Sequence, residues 1–153
     1  MSVTAHVYPS LNLAIGNKTV NFGTDTLKVL MIGAGTYNWN ATSQGHVHVS
    51  DFLAGSGSGT MTEVVGGGYS RLTLSSVTWT DSGLISTLGC ANPSWASGTF
   101  TALYAVFFDN TVGGTDSTNQ LIGYWDLGGI TGTGVAPFTL TISGSGLLTV
   151  TAS

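Results

Sequence analysis

His46 and His48 lie two residues apart in the stretch Gly45-His46-Val47-His48-Val49-Ser50. On an extended strand that spacing turns both imidazoles to one side, which is what a divalent metal asks of two nitrogen ligands. His6 and Asp51 are the further ligands such a centre would draw on. Two polar residues on the wet face of a short strand have the same spacing and are far commoner. That is the favoured reading, so neither a metal nor a cofactor is expected.

The aromatic residues point to a second chemistry. Trp39, Trp79, Trp95 and Trp125, with five tyrosines, offer ring faces on which sugars could stack. Trp79 and Trp125 fall at the inward phase of strand patterns and are expected in the core. Trp39 and Trp95 lie near loops and remain as platform candidates.

Catalysis finds little to work with. Glycoside hydrolysis needs two positioned carboxylates, whereas the single glutamate and six aspartates fall mostly in turns or at strand ends. Gly55-Ser56-Gly57-Ser58-Gly59 carries glycine where a nucleophile elbow requires serine. Cys90 has no histidine near it in sequence and reads as a small buried apolar residue. No enzyme is expected.

The chain is organised about Glu63-Val64-Val65-Gly66-Gly67-Gly68-Tyr69-Ser70-Arg71-Leu72. Three glycines permit a sharp turn or a close backbone approach between two strands. The only glutamate and the only arginine stand one on each arm, and a hairpin brings them within reach of each other. Two unconnected charges at solvated strand ends are the competing reading.

The elements around this joint read as strands. Val3 to Tyr8 alternates, Val3, Ala5 and Val7 on one face, and Pro9 ends it. Leu11 to Ile15 predicts one helical turn closed by Gly16. Thr26–Ile32 and Phe100–Phe108 are apolar on both faces, so each must be covered on both sides. His46–Ser50, Met61–Val65, Ser70–Thr80, Leu84–Leu88, Gln120–Leu127, Phe138–Ser143 and Leu148–Ala152 complete the set. Leu72 and Leu74 have one parity and Val77 and Trp79 the other, which predicts a bulge near Ser75-Ser76. The pattern predicts an all-β fold, an antiparallel β-sandwich or jelly roll of about eight to ten strands. Residues 1–9 form an extended N-terminal arm and residues 10–153 a single domain, a length suited to one sizeable core.

Composition narrows the partners. Charged residues are only 7%, against roughly 25% in ordinary soluble domains. A surface with so little charge repulsion suits a protein held in an assembly. In a domain of this size the outer cover of a two-faced strand is expected to be a neighbouring subunit. The net charge of −4, with three cationic side chains, argues against nucleic acid and against an anionic membrane surface. One cysteine permits no internal disulfide. Met1 to Leu13 lacks a basic region followed by an apolar run, so it does not read as a signal peptide, and assembly in a cytoplasm is expected.

The order of the elements Asp25-Thr26-Leu27-Lys28-Val29-Leu30, Ser50-Asp51, Glu63-Val64 through Gly68-Tyr69-Ser70-Arg71, Ala102-Leu103-Tyr104-Ala105-Val106 and Leu121 through Gly128 resembles small virion structural proteins of tailed bacteriophages. The resemblance covers most of the chain from about Leu11 onward. It implies a capsid cement, or decoration, protein of the virion, with the major capsid protein or another virion protein as partner; a homotrimer is expected from the low charge and the two-faced strands. It carries no residue roles. The residues expected at a partner interface are therefore read from their place in the chain alone: Val3, Ala5, Val7 and Tyr8 of the arm, which would add a strand to a shell protein, and Tyr37, Trp39 and Trp95 from loops. A receptor- or carbohydrate-binding module of a tail or fibre is the alternative.

Overall fold

The computed structural model describes residues 3–56, 59–111 and 114–151, and the chain is all-β with antiparallel sheets. Its centre is a six-stranded sheet. The strands β1 (Thr4–Val7), β9 (Gln120–Thr131), β8 (Thr101–Asp109) and β2 (Leu27–Ala34) lie side by side in that order. The short strands β3 (Thr62–Glu63) and β4 (Leu72–Thr73) both pair with the far edge of β2. A three-stranded sheet, β11 (Leu148–Thr151), β6 (Ile85–Gly89) and β5 (Thr78–Ser82), and a two-stranded ladder, β10 (Phe138–Thr139) with β7 (Ser94–Trp95), stand across one face of it. This layering is a sandwich.

Side-chain alternation divides the central strands between two cores. Val29 and Met31 of β2, with Ala105 and Phe107 of β8, point into the first core. There they meet Leu88 and Leu148 of the three-stranded sheet, Trp95 and Phe138 of the ladder, and Leu11 and Ala14 of helix α1 (Ser10–Gly16). Leu30 and Ile32, with Val106 and Phe108, point the other way. Their cover is Tyr8, Tyr37, Val49, Phe52 and Met61. These come from β1's end and from the stretch holding helices α2 (Ala41–Gln44) and α3 (Val49–Ala54). Each fully buried aliphatic or aromatic side chain in these layers contributes about 1.5–3 kcal/mol through removal from water.

Four expectations are corrected here. The outer face of β2 and β8 is covered from within the chain, not by a neighbouring subunit, because Tyr37, Val49, Phe52 and Met61 fold back over it. The N-terminal arm is no free extension. Thr4–Val7 pairs in register with β9, Thr4 opposite Asp126 and Val7 opposite Gly123, and Tyr8 is 1% exposed. His46–Ser50 is not a strand: His48 makes one bridge to Gln120 and then starts α3. The Asp51 carboxylate accepts from the N–H groups of Val47 and His48 at 2.9 and 2.8 Å, so local capping wins over extension. The phase shift near Ser75-Ser76 is larger than a bulge. Ser76 adopts φ 52°, and the chain leaves β4 in one sheet to enter β5 in another.

Candidate functional site

The glycine joint does bring its two charged arms together. Gly66, Gly67 and Gly68 all have positive φ, 74°, 59° and 75°, which side-chain-bearing residues rarely adopt. A Cβ on Gly68 would stand 2.9 Å from the Ser97 carbonyl oxygen, so the joint also rests directly on the 97–99 backbone. Arg71 Nε donates to Glu63 Oε1 at 2.8 Å and Nη2 donates to Oε2 at 2.6 Å. A third member was not foreseen. Asp116, from the β8–β9 loop, accepts from Nη1 and, at 2.9 Å, from Nη2. The Tyr69 hydroxyl donates to Glu63 Oε1 at 2.6 Å and accepts from the Met31 N–H at 3.0 Å. Hydrogen bonds from Arg71 to Glu63 and to Asp116 push the guanidinium pKa up, which locks its charge. Every strong group in this cluster is bound to another of them. It is a staple joining β3, β4 and the β8–β9 loop, with the Arg71 guanidinium over the Phe108 ring at 5.6 Å.

The surface with unspent capacity is β1. On its inner side Tyr8 N–H donates to the Ile122 carbonyl, so alternation directs the backbone groups of His6 and Tyr8 to β9 and those of Ala5 and Val7 to the open edge. No described strand pairs with that edge. Natural edge strands are commonly blunted by lysine, proline or a bulge. Val3 to Val7 has none of these, and Val3 and Val7 are 45% and 40% exposed. Ala5 is also exposed.

The strand is held firmly. His6 stacks on Tyr124 with ring centroids 4.9 Å apart and lies 4.7 Å from Trp39. The Tyr8 and Tyr37 hydroxyls are 2.9 Å apart, and the Tyr37 hydroxyl lies 2.8 Å from His46 Nδ1. Burial pushes the Tyr8 phenol up strongly and Tyr37 up to about 12. Burial pushes the His6 and His46 imidazoles down, against Asp126 and Asp51 respectively, which act upward. Gly123 is required under β1, because a Cβ there would lie 2.5 Å from the His6 carbonyl oxygen.

The expected interface residues therefore separate. Val3, Ala5 and Val7 lie together on the open edge. Tyr8 and Tyr37 are core residues at 1% and 5% exposure, and Trp39 is half-buried against His6 and Tyr124. Trp95 is 2% exposed in the opposite core, its Nε1 donating to the Ser70 carbonyl at 2.7 Å. Trp39 and Trp95 thus lie on opposite faces of the central sheet and cannot share a sugar-binding groove. Trp79, expected inside, is 37% exposed. His46 and His48 do not face one way: His46 turns to Tyr37, and His48 Nδ1 lies 3.9 Å from Asp51. Among the described residues no three histidine, cysteine or acidic side chains converge. Cys90 is half-buried at the rim of the first core, and burial pushes its thiol up.

Compared with known proteins, the chain matches no family model, no curated protein and no solved structure.

Proposed function

We propose that the protein is a non-enzymatic structural component of a phage virion, a cement or decoration protein that docks on the head shell through the open edge of β1. The observation that carries this reading is an edge strand with no charge and no proline, presenting Val3, Ala5 and Val7 and two outward-facing backbone units. A shell strand laid against it gains main-chain hydrogen bonds and pockets for alternate side chains. Because β1 is already seated on β9, docking carries little of the ordering cost a free arm would bear. The low charge of the chain supports life in an assembly. It is now the sole support for a trimer, since the two-faced strands are covered internally.

The test is binding to heads stripped of this protein, followed by heat and osmotic shock. The wild type restores resistance. Val7→Lys, a surface substitution that places a charge on the edge, folds but does not bind. Stripped heads as robust as complete ones, or undiminished binding by Val7→Lys, would refute the reading. Light scattering on the isolated protein tests the trimer.

A further inference from the structure

Trp79 has an environment unlike that of the other exposed apolar residues. It lies on edge strand β5 opposite Leu88, on the inner face of the three-stranded sheet, and reaches past the core rim. One side of the indole meets the Phe22 ring, centroids 4.9 Å apart. The rest opens into a cleft of about 340 Å³ lined by Ile15, Lys18, Val20, Asn21, Phe22 and Trp79. That volume is within the range of small-ligand sites, roughly 300–1,000 Å³. Its walls are apolar and aromatic, and its rim is one ammonium and one amide.

Lys18 is held there at a conformational cost. Helix α1 ends with Thr19 N–H donating to Ala14 O and Lys18 N–H donating to Ile15 O. This is the paired closure that places its penultimate residue in left-handed backbone, where glycine is the ordinary choice. Lys18 occupies that position at φ 58°. Among the described residues no carboxylate lies within ion-pair distance of it. In a chain with three cations, one stands in left-handed backbone beside an exposed indole.

We infer that this cleft binds an acidic saccharide. The apolar C–H face of a pyranose ring stacks on Trp79, and the sugar carboxylate is met by the Lys18 ammonium in a charge-assisted hydrogen bond. Asn21, whose Oδ1 is fixed by the Gly23 N–H at 3.0 Å, stands at the rim for hydroxyl groups. The site is independent of the β1 edge and of the shell-docking reading.

The probes are sialyllactose and an oligogalacturonate, with lactose and maltotriose as neutral controls. The readout is the Trp79 indole N–H resonance of the full chain, assigned by its loss in Trp79→Phe. Both acidic probes should shift it saturably, the neutral ones about tenfold more weakly or not at all. Trp79→Ala, which lacks the reporter resonance and is therefore read by titration calorimetry beside the wild type, should abolish the binding. Lys18→Gly should raise the melting temperature by relieving the backbone, yet weaken acidic probes about tenfold and leave neutral ones unchanged. That opposition of stability and binding is not expected of a merely structural lysine. A Trp79 resonance unmoved by both acidic probes, or a Lys18→Gly variant that binds them as tightly as the wild type, overturns the proposal. Tighter binding of an acidic aromatic dipeptide than of either saccharide would assign the cleft to a protein side chain and overturn it equally.

Discussion

Removing Arg71 tests whether the staple holds the joint or merely decorates it. Arg71→Ala deletes two bidentate contacts and leaves the Glu63 and Asp116 carboxylates facing one another. A charge-assisted hydrogen bond in a protected site is worth about 1.5–3 kcal/mol. Exposed pairs are worth about 1 kcal/mol or less. The side chains of Arg71, Glu63 and Asp116 are 27%, 23% and 32% exposed, between those limits. Roughly 1–2 kcal/mol for each carboxylate gives a loss of about 2–4 kcal/mol. For a chain of this length each kcal/mol moves the melting temperature by about 2–4 °C, so a fall of about 4–16 °C is expected in calorimetry. Arg71→Lys should recover less than half of it, because one ammonium cannot serve two carboxylate forks. The deficit should shrink in high salt as repulsion between the two carboxylates is screened. Exchange of the Ser50 N–H, which donates to the Asp116 carbonyl, should quicken. A fall of less than about 2 °C, or full rescue by lysine, would refute the assignment of the staple to stability.

Gly123→Ala should lift β1 from β9, costing about 1–3 kcal/mol, and make the bonds around Val7 sensitive to proteolysis, because the new Cβ meets the His6 carbonyl and not a movable side chain. Stability should fall as pH drops through about 6.5, since burial lowers the folded pKa of His6 and His46 and the unfolded chain takes those protons first. Both effects are fully present above that pH, and His46→Gln should flatten the pH dependence of the melting temperature. Asp109 acts in the opposite sense, its raised pKa favouring the folded chain as pH falls toward the carboxylate range. Tyr8→Phe should cost about 1 kcal/mol in the same melts by removing a buried partner of the Tyr37 hydroxyl. Cys90 should react with iodoacetamide more slowly in the native chain than in urea, as its thiol is half-buried and less acidic than usual.

The elements that announced themselves were those where local pattern and tertiary environment agree. Thr26–Ile32 and Phe100–Phe108 are apolar at both parities, and both became central strands buried on two faces. Leu11–Ile15 with Gly16 became α1. Glu63 and Arg71 met because the glycines between them can all take positive φ. What covers a two-faced strand is not written in the strand. The cover came from Tyr37, Val49 and Phe52, in a stretch whose short helices are set by the side chains of Asn40 and Asp51 and not by periodicity. Trp79 kept the inward parity expected of it, but β5 is an edge strand, and parity does not say how far the core extends. Asp116 was invisible as a partner of Arg71 because 45 residues separate them.

Most of the cover of the second core is a single excursion between two antiparallel neighbours, β2 and β3, and not a layer assembled from many segments. Such a detour is removable in one cut. A chain shortened there to a tight hairpin would keep its first core and bare Leu30, Ile32, Val106 and Phe108 to water. A foreign surface would then have to supply the missing roof. The difference between a self-contained domain and an obligate subunit thus comes down to the one stretch between β2 and β3.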